Sequence, residues 1–182
     1  MMPLLEVFYR PGKLFAGLPV QRRAWIVPLL LNSVLAALLS RVNFPARPFT
    51  AHLSIAIFFS PLLHLVIAGM LSIFGMMTRE APKFGTMLAM VVVAFFPYWL
   101  ALTGTTMMAE PTNALAFVNR AGLPKGLDSL LAELDILSFL EIGLLSLGFS
   151  KLTRRSIFAG LAAVGGIWVL YVSVKMAASL LS

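Results

Sequence analysis

The chain has 182 residues, of which 60% are hydrophobic and only 12% are charged, and its formal net charge is +7. Soluble domains use about 25% charged residues, so this composition excludes an ordinary soluble domain and indicates a polytopic membrane protein. The sequence has no cysteine, which excludes a disulfide framework, a thiol nucleophile and a cysteine metal site.

The basic residues stand singly or in pairs between apolar segments. This distribution is typical of membrane topology signals and argues against a nucleic-acid partner. His52 and His64 are the only histidines, so a zinc centre is not expected. No catalytic or phosphate-binding motif is present, and neither an enzyme nor a cofactor is predicted.

The first 23 residues are predicted to be a cytoplasmic leader that lies in the headgroup region as short amphipathic pieces. The leader mixes apolar and charged side chains and is split at Pro11-Gly12, and its charges exclude a cleavable signal peptide. A loosely ordered leader is the alternative. The residues expected to contact anionic lipid or a partner are Tyr9, Arg10, Lys13, Arg22 and Arg23.

Residues 24–182 are predicted to form one all-α domain, a bundle of five transmembrane helices. Segments near the ~20 apolar residues needed to cross a bilayer recur along them, and the predicted spans are 25–40, 51–77, 84–108, 129–150 and 156–180. Asn32 is expected to hydrogen-bond to neighbouring helices. Pro61 should kink the second span, and Pro97 should lie against protein because it leaves a carbonyl without its helical donor.

The distribution of lysine and arginine sets the expected orientation. Nine of these residues fall on the side of the N-terminus and five on the other side. The positive-inside rule therefore favours a cytoplasmic N-terminus and an external C-terminus.

The fourth span carries three acidic residues, Glu133, Asp135 and Glu141, and each needs a partner or a wet cavity at membrane depth. The fourth and fifth spans should form an antiparallel hairpin in which residues whose numbers sum to roughly 307 lie at similar depth. Lys175 is therefore predicted to pair with Asp135 or Glu133, which would offset the desolvation cost.

Glu141 maps opposite Gly166, where Gly165 and Gly166 are expected to allow close helix approach. Its carboxyl group is expected to hydrogen-bond to Ser138 or His64. Two interpretations stay open for it: structural hydrogen bonding, or a proton-linked or lipid-headgroup site. The same choice, between structure and proton transfer, applies to His64.

Three segments together resemble the Yip family, the Ypt-interacting-protein domain, in its prokaryotic form. They are FYRPGKLFAGL (residues 8–18), AFFPYWL (94–100) and LDILSFLEIGLLSLGFS (134–150). The resemblance covers residues 4–180 and matches Arg10-Pro11-Gly12, Pro97, Asp135 and Gly143 to the family pattern. Glu141 departs from the pattern, so no role for it can be carried over.

The resemblance implies a small integral protein of a prokaryotic inner membrane, acting as a non-enzymatic membrane organiser or partner-binding subunit. Its expected partners are anionic headgroups at the cytoplasmic face and a membrane or cytoplasmic protein, and homo-oligomerisation stays open. The alternative is a small transporter or channel-like protein in which Asp135, Glu141 and His64 line a polar path.

Overall fold

The computed structural model describes residues 4–18, 25–77, 81–107, 131 and 134–181. Its helices are α1 (Glu6–Tyr9), α2 (Pro11–Gly17), α3 (Ile26–Asn43), α4 (Phe49–Ser54), a π-helical turn (Ile55–Phe59), α5 (Ser60–Met76), α6 (Phe84–Met107), α7 (Ile136–Thr153) and α8 (Ile157–Leu181). Within these ranges five helices are long and apolar enough to cross a membrane, the second being the continuous run Phe49–Met76. The predicted all-α, five-helix architecture is confirmed.

Helix α6 lies at the centre of the bundle. It is 56% buried over its most apolar window, whereas the first, second and fifth spans are 22–28% buried and leave apolar faces for lipid. Every residue from Met87 to Phe95 is buried, and α6 contacts α1, α3, α5 and α7. A helix that is apolar on all sides suits this position, because no face of it has to meet water.

Four of the long helices close into a ring. Helix α5 contacts α6, α6 contacts α7, α7 contacts α8, and α8 returns to α5. Helix α3 packs outside this ring against α6 and the second span. The space inside the ring is therefore bounded by four separate chain segments.

The leader is split where the sequence predicts, since α1 ends at Tyr9 and α2 begins at Pro11, which suits a first helical position. Its apolar side chains pack into the bundle: Val7, Leu14, Phe15 and Leu18 are all buried. The Phe8 ring lies 6.3 Å from the ring of Phe96, twelve residues or about 18 Å along α6. The described part of the leader therefore packs against the bundle through one apolar face.

Pro97 lies against protein as predicted, whereas the kink predicted at Pro61 stays a prediction. The π turn Ile55–Phe59 ends two residues before Pro61, and it is at this turn that the second span departs from α-helical bonding. Pro97 lies inside α6 and is buried. It leaves the carbonyl of Val93 without its helical donor, and the adjacent carbonyl of Val92 accepts a hydrogen bond from the Asn32 side chain.

The predicted start of the fourth span is wrong. The helix begins at Ile136, not at residue 129, because Asp135 has an extended backbone and its carboxylate accepts the Ser138 amide at 2.6 Å. This is an N-cap, which satisfies an otherwise unpaired donor of the first turn. The helix ends at Thr153, three residues later than predicted, where Arg154 adopts a left-handed conformation with φ 50°.

The hairpin register is confirmed, but the predicted point of close approach is wrong. A Cβ atom at Gly160 would overlap the backbone carbonyl of Ser146, and this pair fits the expected register within one residue. Added Cβ atoms at Gly165 and Gly166 would meet nothing within 4 Å. Helices α7 and α8 therefore make close backbone contact near the turn that connects them. At the level of Glu141 there is open space beside Gly165 and Gly166.

Candidate functional site: a membrane-level cavity at Glu141

A cavity of about 520 Å³ lies inside the ring of α5, α6, α7 and α8. Each helix contributes one face, because its lining residues recur three or four positions apart. The lining residues are Leu63, Val66, Ile67, Met70 and Leu71 of α5; Phe95, Tyr98 and Trp99 of α6; Ser138, Glu141, Ile142 and Leu145 of α7; and Val164, Ile167, Trp168, Leu170, Tyr171 and Val174 of α8. The volume is in the range that holds a drug-sized or lipid-like molecule.

The cavity is at the depth of the middle of α6. The Met90 side chain lies against Gly148, and α6 and α7 run antiparallel, so Glu141 is level with Pro97. Pro97 is close to the midpoint of α6, whose bounds are Phe84 and Met107. A carboxyl group at that depth is costly, and its place on a cavity wall is what distinguishes it from a lipid-facing residue.

The cavity lining has few polar groups, and most of them belong to aromatic side chains. Glu141 supplies the carboxyl group, Ser138 and two tyrosines supply hydroxyl groups, and Trp99 and Trp168 supply indole N–H groups. The Trp99 Nε1 atom is buried and has no hydrogen-bond partner among the described residues. The rings of Tyr98 and Trp99 meet edge to face at 5.9 Å, so the α6 wall is a continuous aromatic surface.

His64 belongs to a different site, a polar junction of three helices. Its Nδ1–H donates to the Ser60 carbonyl at 2.5 Å, and its Nε2 accepts from Asn32 Nδ2 at 3.1 Å. The same Asn32 nitrogen donates to the Val92 carbonyl at 2.9 Å, which confirms that Asn32 bonds to neighbouring helices. Because both ring nitrogens are engaged, His64 does not hydrogen-bond to Glu141.

The predicted polar path therefore does not form as one line of residues. Glu141 lines the cavity, Asp135 caps α7, and His64 is fully buried against Asn32. Phe95 lies between two of these environments, since its ring is 5.0 Å from the His64 ring and also lines the cavity. Only Glu141, of the three, reaches this space.

His52 is a structural residue that the sequence did not single out. It is buried, accepts a hydrogen bond from the Ser40 hydroxyl at 2.8 Å, and donates to the Arg47 carbonyl at 3.2 Å. Arg47 in turn stacks on Phe44 at 3.9 Å. These contacts hold the loop between α3 and α4.

The remaining predicted site residues fall into two groups. Glu133, Arg22 and Arg23 lie outside the described residues, so the pairing of Lys175 with an acid of the fourth span stays a prediction. Tyr9, Arg10 and Lys13 are exposed on the leader, where a lipid surface can reach them. Across the described part of the chain, no group of three His, Asp or Glu side chains could hold a metal ion.

The described part of the chain is all-α, with five helices long and apolar enough to cross a membrane and a cavity bounded by α5, α6, α7 and α8. Comparison with family models, with curated proteins and with solved structures finds no match.

Proposed function

We propose that the protein is a non-enzymatic membrane protein that binds an amphipathic, lipid-like ligand in the Glu141 cavity. The observation that supports this most directly is the lining: a space of about 520 Å³ bounded by apolar and aromatic side chains, with one carboxyl group at the level of the middle of α6. Binding sites for small molecules combine apolar walls with a few placed polar groups in this way.

The chemistry of the walls favours a ligand whose polar group is an amine or another hydrogen-bond donor. Glu141 supplies an acceptor that becomes a counter-ion when ionised, and four Tyr or Trp rings line the same space. Aromatic faces attract cations, most strongly when water is excluded. A fatty acid of equal length would bring a second carboxyl group to Glu141 and is disfavoured by repulsion.

The chain offers its own probe for this proposal. It has three tryptophans, of which Trp99 and Trp168 line the cavity and Trp25 does not. In a Trp25→Phe background reconstituted in nanodiscs, a brominated alkylamine should quench the fluorescence saturably. A brominated fatty acid of the same length should quench only as much as it partitions into the bilayer.

The decisive comparison is Glu141→Gln in that background. The alkylamine should bind about tenfold more weakly, the factor that corresponds to 1.4 kcal/mol. Glu6→Gln, the same exchange on α1 and outside the cavity lining, is the matched control and should leave quenching unchanged. Equal quenching by the amine and the acid in every variant would show that there is no selective cavity site.

A second candidate function is transport, because the one acidic side chain among the lining residues is a titratable group at the level of the middle of α6. Under this proposal Glu141→Gln would abolish flux of the amine in proteoliposomes, while under the binding proposal no flux occurs in either protein. His64→Ala is expected to lower stability under both proposals, because His64 bonds to Asn32 outside the cavity.

Membership of the Yip family, and with it a role as a membrane organiser or partner-binding subunit, also stays a proposal. Five spans, a leader split at Pro11 and a buried Pro97 in the third span support it. We propose the cytoplasmic side of a prokaryotic inner membrane for the N-terminus and for the α7–α8 turn. Protease protection of tags on the two termini would test the orientation.

A further inference from the structure

We infer that the α7–α8 turn carries a second binding site, for one anionic phospholipid, in which Arg155 holds the phosphate and a groove beside it holds an acyl chain. The groove has a volume of about 340 Å³. Its lining residues are Phe74, Met77, Phe149, Arg155, Ala159, Ala162 and Ala163. It is separate from the Glu141 cavity and does not depend on the function proposed for that cavity.

The backbone of the turn fixes the place of Arg155. Arg154 has a left-handed conformation that reverses the chain, and the Arg155 amide donates to the Ser150 carbonyl at 3.1 Å. The Ser150 hydroxyl donates back to the Arg155 carbonyl at 2.6 Å. With both backbone groups of Arg155 held by one residue of α7, its exposed side chain starts from a defined point at the mouth of the groove.

The groove extends from this cation along the first turns of α8. From Arg155 to Ala163 is eight residues, or about 12 Å of helix, and the lining contributed by α8 consists of alanines. Small side chains leave a channel between α8 and the exposed end of α5, where Met77 is 80% and Phe74 41% exposed. The upper part of an acyl chain fits such a channel with its headgroup at the helix end.

The charge at this end of the bundle selects an anionic headgroup. Three of five consecutive residues are basic, namely Lys151, Arg154 and Arg155, and Lys83 directly precedes α6 at the same end. The described acidic side chains are Glu6, Asp135 and Glu141, none of which lies in this turn. The planar guanidinium of arginine matches a phosphate in two-point contact, so a phosphodiester with a net negative charge is the expected occupant.

The test is native mass spectrometry of the full-length protein released from detergent after titration with a short-chain phosphatidylglycerol. Three other compounds separate the parts of the ligand: phosphatidylcholine of equal chains has no net charge, the matching diacylglycerol has no phosphate, and inorganic phosphate has no chain. Phosphatidylglycerol should bind with the highest occupancy. Full competition by inorganic phosphate would show an anion site only, and equal binding of phosphatidylcholine would show no charge selection; either result overturns the proposal.

Two variants test the two halves of the site. Arg155→Gln keeps the backbone contacts to Ser150 and should weaken phosphatidylglycerol binding about fivefold, the effect of one cation near an anionic surface. Ala162→Phe, at an exposed position, keeps the charge, fills the groove and should weaken binding as much. Ala159→Leu serves the same purpose if the phenylalanine variant unfolds at a lower temperature.

The matched control is Arg41→Gln, which makes the same exchange at an exposed position in the last turn of α3, at the opposite end of the bundle and outside the groove. It should change binding less than twofold. If Arg155→Gln and Arg41→Gln weaken binding equally, the lipid is held by diffuse charge, and the assigned site is wrong.

Discussion

Asn32 and His64 are joined side chain to side chain across 32 residues, with Nδ2 of the asparagine 3.1 Å from Nε2 of the histidine. The asparagine amide carries two hydrogens, and the second goes to the Val92 carbonyl at 2.9 Å. An amide nitrogen can only donate, so the histidine nitrogen facing it accepts and Nδ1 carries the proton. One side chain thus links α3, α5 and α6 at a point from which water is excluded.

Replacing Asn32 with alanine should destabilise the bundle, because it leaves His64 Nε2 without a donor in a buried place and removes the interhelical hydrogen bond to the Val92 carbonyl. The expected cost is about 1–2 kcal/mol, since interhelical hydrogen bonds in membranes are individually modest. Thermal unfolding in detergent measures it. Ser33→Ala, at the adjacent half-buried position, is the control and should cost less; equal costs would mean that the junction contributes nothing specific.

The close approach of Gly160 to Ser146 gives a steric prediction. In Gly160→Ala the new methyl group meets backbone, which cannot rotate away as a side chain can. The α7–α8 hairpin must then separate, and overpacking of this kind costs about 1–3 kcal/mol. A lowered melting temperature is expected.

The same helix supplies the control for that experiment. Gly165→Ala adds the same methyl group where nothing lies within 4 Å. It should be neutral or stabilising by about 0.5–1 kcal/mol, because alanine loses less backbone entropy than glycine in a helix. If the two alanine variants melt together, the helices do not cross at Gly160.

The Asp135 cap predicts a graded series at the start of α7. Asp135→Ala removes the acceptor for the Ser138 amide and should cost about 1 kcal/mol. Asp135→Ser keeps an acceptor without the charge and should recover most of the stability. Amide exchange of the first turn of α7 is the direct measurement, with faster exchange in the alanine variant alone. Similar losses in both variants would indicate that the charge matters more than the cap.

The sequence predicted the helices well because hydropathy is a local property of each segment. It also predicted that Asn32 would bond between helices, since a lone amide in an apolar span has few alternatives. It misplaced Asp135 because an average over a window does not distinguish an acid inside a helix from one that begins it. The pattern Asp135–Ser138 was available as a capping signal, and the apolar run around it concealed the boundary.

The cavity could not be predicted, because it depends on how four helices are rotated about their axes. Gly165 and Gly166 are as small as Gly160 and could equally allow close helix packing, yet of the three only Gly160 faces a neighbouring backbone. The aromatic residues Trp99 and Trp168 are 69 positions apart and line the same cavity only in the folded chain. The sequence singled out Glu141 because a carboxyl group is costly to bury in lipid. Only the folded structure shows which residues surround it.

A variant that fills the cavity can distinguish a cavity that binds a ligand from one that is only a packing defect. Ile167 is half-buried on the α8 wall, and a tryptophan there would occupy part of the 520 Å³ without removing any polar group. Packing an existing void generally preserves or raises stability, as the cost of creating cavities implies.

Ile167→Phe is the variant suited to the fluorescence experiment, because it adds no tryptophan and leaves Trp99 and Trp168 as the reporters in the Trp25→Phe background. It should keep the melting temperature and reduce saturable quenching by the brominated alkylamine about tenfold. Leu170→Phe, at the edge of the same wall where the residue is 53% exposed, is the size-matched control with a smaller expected effect. If Ile167→Phe binds the amine as well as the parent does, the ligand lies on the outer surface of the bundle and the cavity is only a packing defect.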